Sequence, residues 1–119
     1  MEKVKGIGGV FFRARDPAAL AGWYRDVLGV DPAPSDMGAS PWMSESGVTV
    51  FAPFPHDSDY FPATQQVMVN FRVGDMDALL AQLRTVGVEP FNEQVMDGLG
   101  RFAHINDPEG NAVELWEPA

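Results

Sequence analysis

An internal repeat limits the folds open to this chain more than its composition does. The stretch GGVFFRARDPAALAGWYRDVLGVDP returns as VMVNFRVGDMDALLAQLRTVGVEP, with Phe12, Arg13, Asp16, Ala19, Leu20 and Arg25 recurring 59 positions later as Phe71, Arg72, Asp75, Ala78, Leu79 and Arg84. One deletion further on, Gly29-Val30-Asp31-Pro32 recurs as Gly87-Val88-Glu89-Pro90. Two like units therefore share a single domain of 119 residues, module one over about 1–54, a connection over about 55–66 and module two over about 67–119. Each is too small to close a core alone.

Local signals give each unit a strand, a helix and further strands. Residues 6–15 (GIGGVFFRAR) alternate as a strand, with Val10, Phe12 and Ala14 on one face and Gly9, Phe11 and Arg13 on the other. Asp16 as N-cap, Pro17 at the first helical position and Gly29 as a stop bracket a helix whose Leu20, Trp23, Tyr24, Val27 and Leu28 form one apolar stripe. Residues 31–34, 37–43 and 48–54 are expected as strands, the first two made irregular by Pro32, Pro34 and Pro41. Residues 53–66 (PFPHDSDYFPATQQ) have three prolines and no period, which suits a linker or a lid. Module two adds a strand near 91–96 and a closing hairpin over 101–116 (RFAHINDPEGNAVELW).

A tight hairpin turn across Pro108 and Glu109 would set residues whose numbers sum to 217 opposite each other. Arg101, Ala103, Ala112, Glu114 and Trp116 would then share one face, and Phe102, His104, Val113 and Leu115 the other.

The chain has no cysteine, which excludes disulfides, thiolate metal sites and a cysteine nucleophile. With 17 acidic and 8 basic side chains the net charge is -9, which repels phosphate backbones and argues against nucleic-acid binding. No Lys or Arg lies between Arg25 and Arg72, while Asp36, Glu45, Asp57 and Asp59 do. A solvated acidic surface explains that span more simply than attraction of a cation. No apolar run suits a membrane span, and the N-terminal residues lack a secretory pattern, so the expected location is the cytoplasm.

The motifs RARDPAALAGWYRDVLGV, FRVGDMDALLAQLRTVGV and INDPEGNAVELWEP resemble the vicinal oxygen chelate superfamily, which includes glyoxalases, extradiol dioxygenases and bleomycin-resistance proteins. The resemblance implies an α+β fold in which two βαβββ modules curl a mixed sheet into a cleft, with the helices outside. It also implies two cleft positions per module that together hold a divalent metal acting as a Lewis acid. Transferred onto this sequence, those positions fall on Gly9, Phe51, Met68 and Glu114, of which only Glu114 is a ligand for a hard ion. The usual metal is therefore not expected. The alternative is a divalent metal held through Glu114 and His56, with His104 turned away from Glu114 by strand parity.

The same parity gives a cleft face of Gly9, Phe11, Arg13, Thr49, Phe51, Met68, Asn70, Arg72, Arg101, Glu114 and Trp116, apolar with a few polar groups. Phe51 and Met68 either line the vacated metal volume or fill it, and filling is the simpler account. Trp116 offers a flat surface to an aromatic or cationic ligand. Glu114 is a candidate acid or base, an ion-pair partner of Arg101, or a remnant of the lineage. Arg101 could instead fork onto a carboxylate ligand, Arg13 and Arg72 suit solvated strand ends, and His104 suits a satisfied core position. Tyr60 or His56 could reach the ligand if the connection folds over the cleft.

These features suit a small-molecule-binding protein comparable to bleomycin-resistance proteins, acting without nucleic acid or membrane, and the resemblance implies a homodimer, the common state of small members of the superfamily. The alternative is a lyase, isomerase or dioxygenase using Glu114 with an atypical metal or as a metal-free base. A non-catalytic regulatory module is the third reading.

Overall fold

The computed structural model describes all residues, 1–119. Its helices begin and end on the repeated signals. Helix α1 (Pro17–Trp23) starts where the Asp16 side chain accepts a hydrogen bond from the Ala19 N–H at 3.1 Å, and continues as a π-helical turn over Tyr24–Leu28. Gly29, at φ 73°, then closes it by donating to the Arg25 carbonyl at 3.1 Å. Strand β1 (Asn70–Arg72) precedes helix α2 (Met76–Thr85), which repeats the arrangement: Asp75 accepts from Ala78 N–H at 3.0 Å, and Gly87, at φ 79°, donates to Arg84 at 3.1 Å.

Three longer strands follow, β2 (Phe91–Met96), β3 (Gly100–Asn106) and β4 (Ala112–Pro118). They form a four-stranded sheet in the order β1-β4-β3-β2, with β1 parallel to β4 and the other pairs antiparallel. The fold class is α+β, and module two is a complete βαβββ unit.

Both helices lie on one face of this sheet. Leu20 and Tyr24 join Met76, Leu80 and Leu83 against Ala103, Ile105, Val113 and Leu115 in a single core. Full burial of side chains such as Leu83 or Ile105 is worth about 1.5–3 kcal/mol each. Polar ties fix the module-one helix to the module-two hairpin. Buried Asp107 accepts from the Tyr24 hydroxyl at 2.8 Å, while Glu109 accepts from the backbone N–H of Arg15 at 2.6 Å and of Asp16 at 3.0 Å. The C-terminal strand does the same for α2, where the Met76 N–H donates to Glu117 at 2.7 Å.

The strands expected at 6–15, 31–34, 37–43 and 48–54 are not found as paired strands within the chain. A strand is stable only with a ladder partner, and none of these segments has one in the sheet. Ala14 packs against the core, but several of their larger apolar side chains stay outside it: Phe11 is 98% exposed, Val50 69% and Phe51 86%. Phe51 therefore does not fill the cleft, and Phe11 does not line a closed wall.

The hairpin departs from the expected register by one residue. Its turn is built around the Asp107 carboxylate, whose Oδ1 accepts from the N–H of Glu109 and of Asn111 at 2.9 Å each, with Gly110 at φ 85°. The longer turn pairs His104 with Glu114, Phe102 with Trp116 and Ala103 with Leu115. Because side chains alternate along a strand, that single step exchanges the faces assigned to β3. Phe102 and His104 share the face of Glu114 and Trp116, while Arg101 lies on the helix side, where its guanidinium pairs with Asp77 at 2.9 Å.

Candidate functional site

Glu114 lies mid-strand on β4, flanked by β1 and β3, and its backbone N–H donates to the Val69 carbonyl at 3.0 Å. The residue is 7% exposed, yet both carboxylate oxygens have partners. Asn70, its register partner on β1, donates from Nδ2 to Oε1 at 2.8 Å. His104, its register partner on β3, lies with Nε2 2.9 Å from Oε2. The Tyr60 hydroxyl donates to the same Oε2.

His104 is 1% exposed and bonded at both ring nitrogens, with Asn92 Nδ2 3.3 Å from Nδ1. With the Asn92 amide donating to Nδ1, Nε2–H is the group that donates to Glu114. No buried side-chain nitrogen or oxygen in the chain lacks a partner. A buried carboxylate costs several kcal/mol unless its lone pairs are met, and three converging donors meet that requirement here.

The surround is aromatic. Tyr60 stands edge-on to His104 at 5.1 Å between ring centroids and Phe91 does so at 5.6 Å, while Phe54 packs against Tyr60 at 5.5 Å. Along the same face the Phe102 and Trp116 rings are parallel to within 3° at 6.0 Å, and the Trp116 indole N–H donates to the Leu99 carbonyl at 2.9 Å. Burial, then the hydrogen bond to Glu114 and its negative charge, all push the Tyr60 hydroxyl pKa above the usual phenol value.

The site brings together Asn70, Tyr60, Glu114 and, two residues along the strand, Trp116. It adds His104, which parity had turned away from Glu114, and Asn92 behind it. The Asp107-Pro108-Glu109-Gly110-Asn111 run held the missing signal: an aspartate able to capture two N–H groups and a glycine suited to the left-handed end favour the longer turn. Arg101 leaves the site, so the expected ion pair with Glu114 gives way to the pair with Asp77. Met68 is half-buried, whereas Phe11, Phe51 and His56 are exposed. Arg72 ends β1 as expected, and its guanidinium donates at the surface to the carbonyls of Glu45 at 2.6 Å and Ser46 at 3.5 Å.

A divalent ion does not suit the four positions that the resemblance assigns to it. Gly9 and Phe51 have no donor side chain, Met68 offers only a soft thioether, and Glu114 is engaged by three protein donors. No group of three or more His, Asp or Glu side chains converges anywhere in the chain. Surface depressions of about 330 Å³ beside Arg13, Arg15 and Glu109, and about 260 Å³ beside Trp23, Glu89 and Asp107, lie apart from Glu114. Both are shallow and open, and the converging polar groups lie at Glu114 instead. No helix is long and apolar enough to cross a membrane.

Among solved structures, the chain is similar to a lactoylglutathione lyase from Agrobacterium tumefaciens, with 19% identity over 98% of this chain and 96% of that one, at a TM-score of 0.64. It is also similar to TnmS3, an antibiotic-binding protein from Streptomyces sp. CB03234, with 25% identity over 87% and 88% of the two chains, at a TM-score of 0.54. A glyoxalase/bleomycin resistance protein from the same Streptomyces strain is 33% identical over 41% of this chain at a TM-score of 0.38, and the match spans 42% of that protein's length. No curated protein matches. The sequence pattern of the glyoxalase-like domain matches residues 9–116, and the chain belongs to the glyoxalase-like domain family.

Proposed function

We propose that the chain binds a small molecule on the sheet face around Glu114, without the divalent metal that the superfamily resemblance implies. One observation carries this reading: both oxygens of the Glu114 carboxylate are held by Asn70, His104 and Tyr60 within an aromatic surround. That combination of apolar walls and a few fixed polar groups is typical of ligand sites. The stacked Phe102 and Trp116 rings supply apolar surface along the same sheet face as the carboxylate. Similarity to an antibiotic-binding protein points in the same direction.

The functional unit is proposed to be a homodimer. Phe11, Val50 and Phe51 lie on module-one segments without ladder partners, and a second copy would cover them. Light scattering on the purified chain should give twice the mass of one chain; a monomer at micromolar concentration contradicts the dimer.

The binding reading is tested by screening uncharged and cationic aromatic compounds for quenching of tryptophan fluorescence, with Trp116→Phe as the control because Trp23 and Trp42 also emit. Saturable quenching that Trp116→Phe abolishes supports it. Quenching unchanged in Trp116→Phe places any binding elsewhere.

An enzymatic reading rests on the His104–Glu114 pair, a carboxylate and an imidazole 2.9 Å apart and both buried. There Glu114 would take a proton from carbon next to a substrate carbonyl, with His104 holding its charge. Exchange of such a proton with deuterated solvent, lost in Glu114→Gln, is the sign to seek.

A further inference from the structure

Two of the three donors on Glu114 are built into the sheet, and the third is not. Asn70 and His104 stand on β1 and β3 in direct register with Glu114. Tyr60 comes from the connection at 53–66, which has no helix or strand and is shaped by Pro53, Pro55 and Pro62. Two small turns flank it, closed by Ser58 N–H to Pro55 at 2.9 Å and Gln65 N–H to Pro62 at 2.9 Å.

Downstream, the connection is clamped independently of Tyr60. The Gln65 amide donates to the Ala112 carbonyl at 2.8 Å and accepts from the Ala112 N–H at 3.0 Å, occupying both backbone groups of one β4 residue. That clamp does not involve Tyr60, whose remaining hydrogen bond is local, from its backbone N–H to Ser58 Oγ at 3.2 Å. Departure of Tyr60 would uncover a slot floored by Glu114, with the His104 ring on one side and Phe54 on another.

We propose that Tyr60 is a displaceable internal ligand, and that the molecule which takes its place is an uncharged phenol: an aromatic ring with a hydroxyl donor for Glu114. The inference rests on the binding role proposed above for this face. Its chemistry follows from the acceptor left behind. Once Tyr60 leaves, Oε2 keeps the His104 bond but loses a donor in apolar surroundings, a loss that a ring lacking a hydroxyl does not restore. A phenolate or carboxylate would meet the Glu114 charge. The upward shift of the Tyr60 hydroxyl records the same preference for the neutral form.

The test uses p-cresol and toluene, which match the tyrosine side chain with and without its hydroxyl, in thermal-shift and tryptophan-fluorescence titrations. Tyr60→Ala should bind p-cresol about tenfold more tightly than the wild type does and more tightly than toluene, by roughly the worth of one hydrogen bond. Adding Glu114→Gln to Tyr60→Ala should cut the preference for p-cresol over toluene severalfold, because an amide oxygen accepts more weakly than a carboxylate; an undiminished preference overturns the inference. Equal binding of the two compounds by Tyr60→Ala, or equal binding of p-cresol by Tyr60→Ala and wild type, overturns the inference. Should Tyr60→Ala fail to fold, Tyr60→Phe keeps the ring but drops the latch and should still bind p-cresol more tightly than wild type; no gain overturns the inference. If the wild type shows saturable Trp116 quenching with another aromatic ligand while Tyr60→Ala has no p-cresol preference, this inference alone fails and the binding role stands.

Discussion

His104 and Glu114 face each other across β3 and β4, with Nε2 2.9 Å from the carboxylate and exposures of 1% and 7%. A residue that resembles a metal ligand by its position in the sequence is here the acceptor at the centre of a hydrogen-bonded group. Removing it should leave three donors unmatched. Glu114→Ala is expected to lower stability by about 3 kcal/mol, and Glu114→Gln, which keeps one acceptor, by about half that. Urea unfolding of the two variants checks the order; equal and small losses would mean that the carboxylate is not buried among donors.

The pairing itself has a separate signature. His104→Ala and Glu114→Ala should each be costly, but the double variant should cost less than their sum by about 1 kcal/mol or more, because each single change strands the other partner. Additive losses in a double-mutant cycle would contradict the contact.

Asp107 organises the turn that sets this pairing. It accepts from Tyr24, from two backbone N–H groups and from the Asn111 amide at 2.7 Å. Asp107→Ala is expected to cost about 2–4 kcal/mol, and to speed hydrogen exchange in α1 as well as in the hairpin. Faster exchange confined to residues 107–111 would show that α1 is held in place without this tie.

The only two tyrosines give a pH prediction. Burial and hydrogen bonds to Asp107 and Glu114 raise the hydroxyl pKa of Tyr24 and Tyr60 above the value of an unfolded chain. The folded state then holds these protons more tightly than the unfolded state, so their contribution is fully present below about pH 10 and is lost as pH rises above it. Absorbance at 295 nm should show tyrosinate appearing together with unfolding, not before it. Early titration of one hydroxyl in a folded chain would contradict its hydrogen bond.

The sequence made some of these features legible, and the reasons differ by residue. Asp16, Pro17 and Gly29, and again Asp75 and Gly87, mark helix ends because capping is a local property, and both helices keep those bounds. Glu114 stood out as the polar centre of its strand. His104 was hidden because a face assignment on β3 depends on turn length, and the Asp107 side chain adds one residue to that turn. The segment carrying Phe11 and the segment carrying Phe51 have strand-like alternation, but pairing is a non-local property that alternation cannot supply.

The metal content of the purified chain, measured together with thermal shifts on adding Zn²⁺, Mn²⁺, Ni²⁺ and Fe²⁺ to wild type and Glu114→Ala, tests most directly whether Glu114 is committed to protein donors. The expected result is substoichiometric metal and no ion-dependent rise in Tm that requires Glu114. A stoichiometric ion that Glu114→Ala loses, or a stabilisation that Glu114→Ala abolishes, would contradict a metal-independent site.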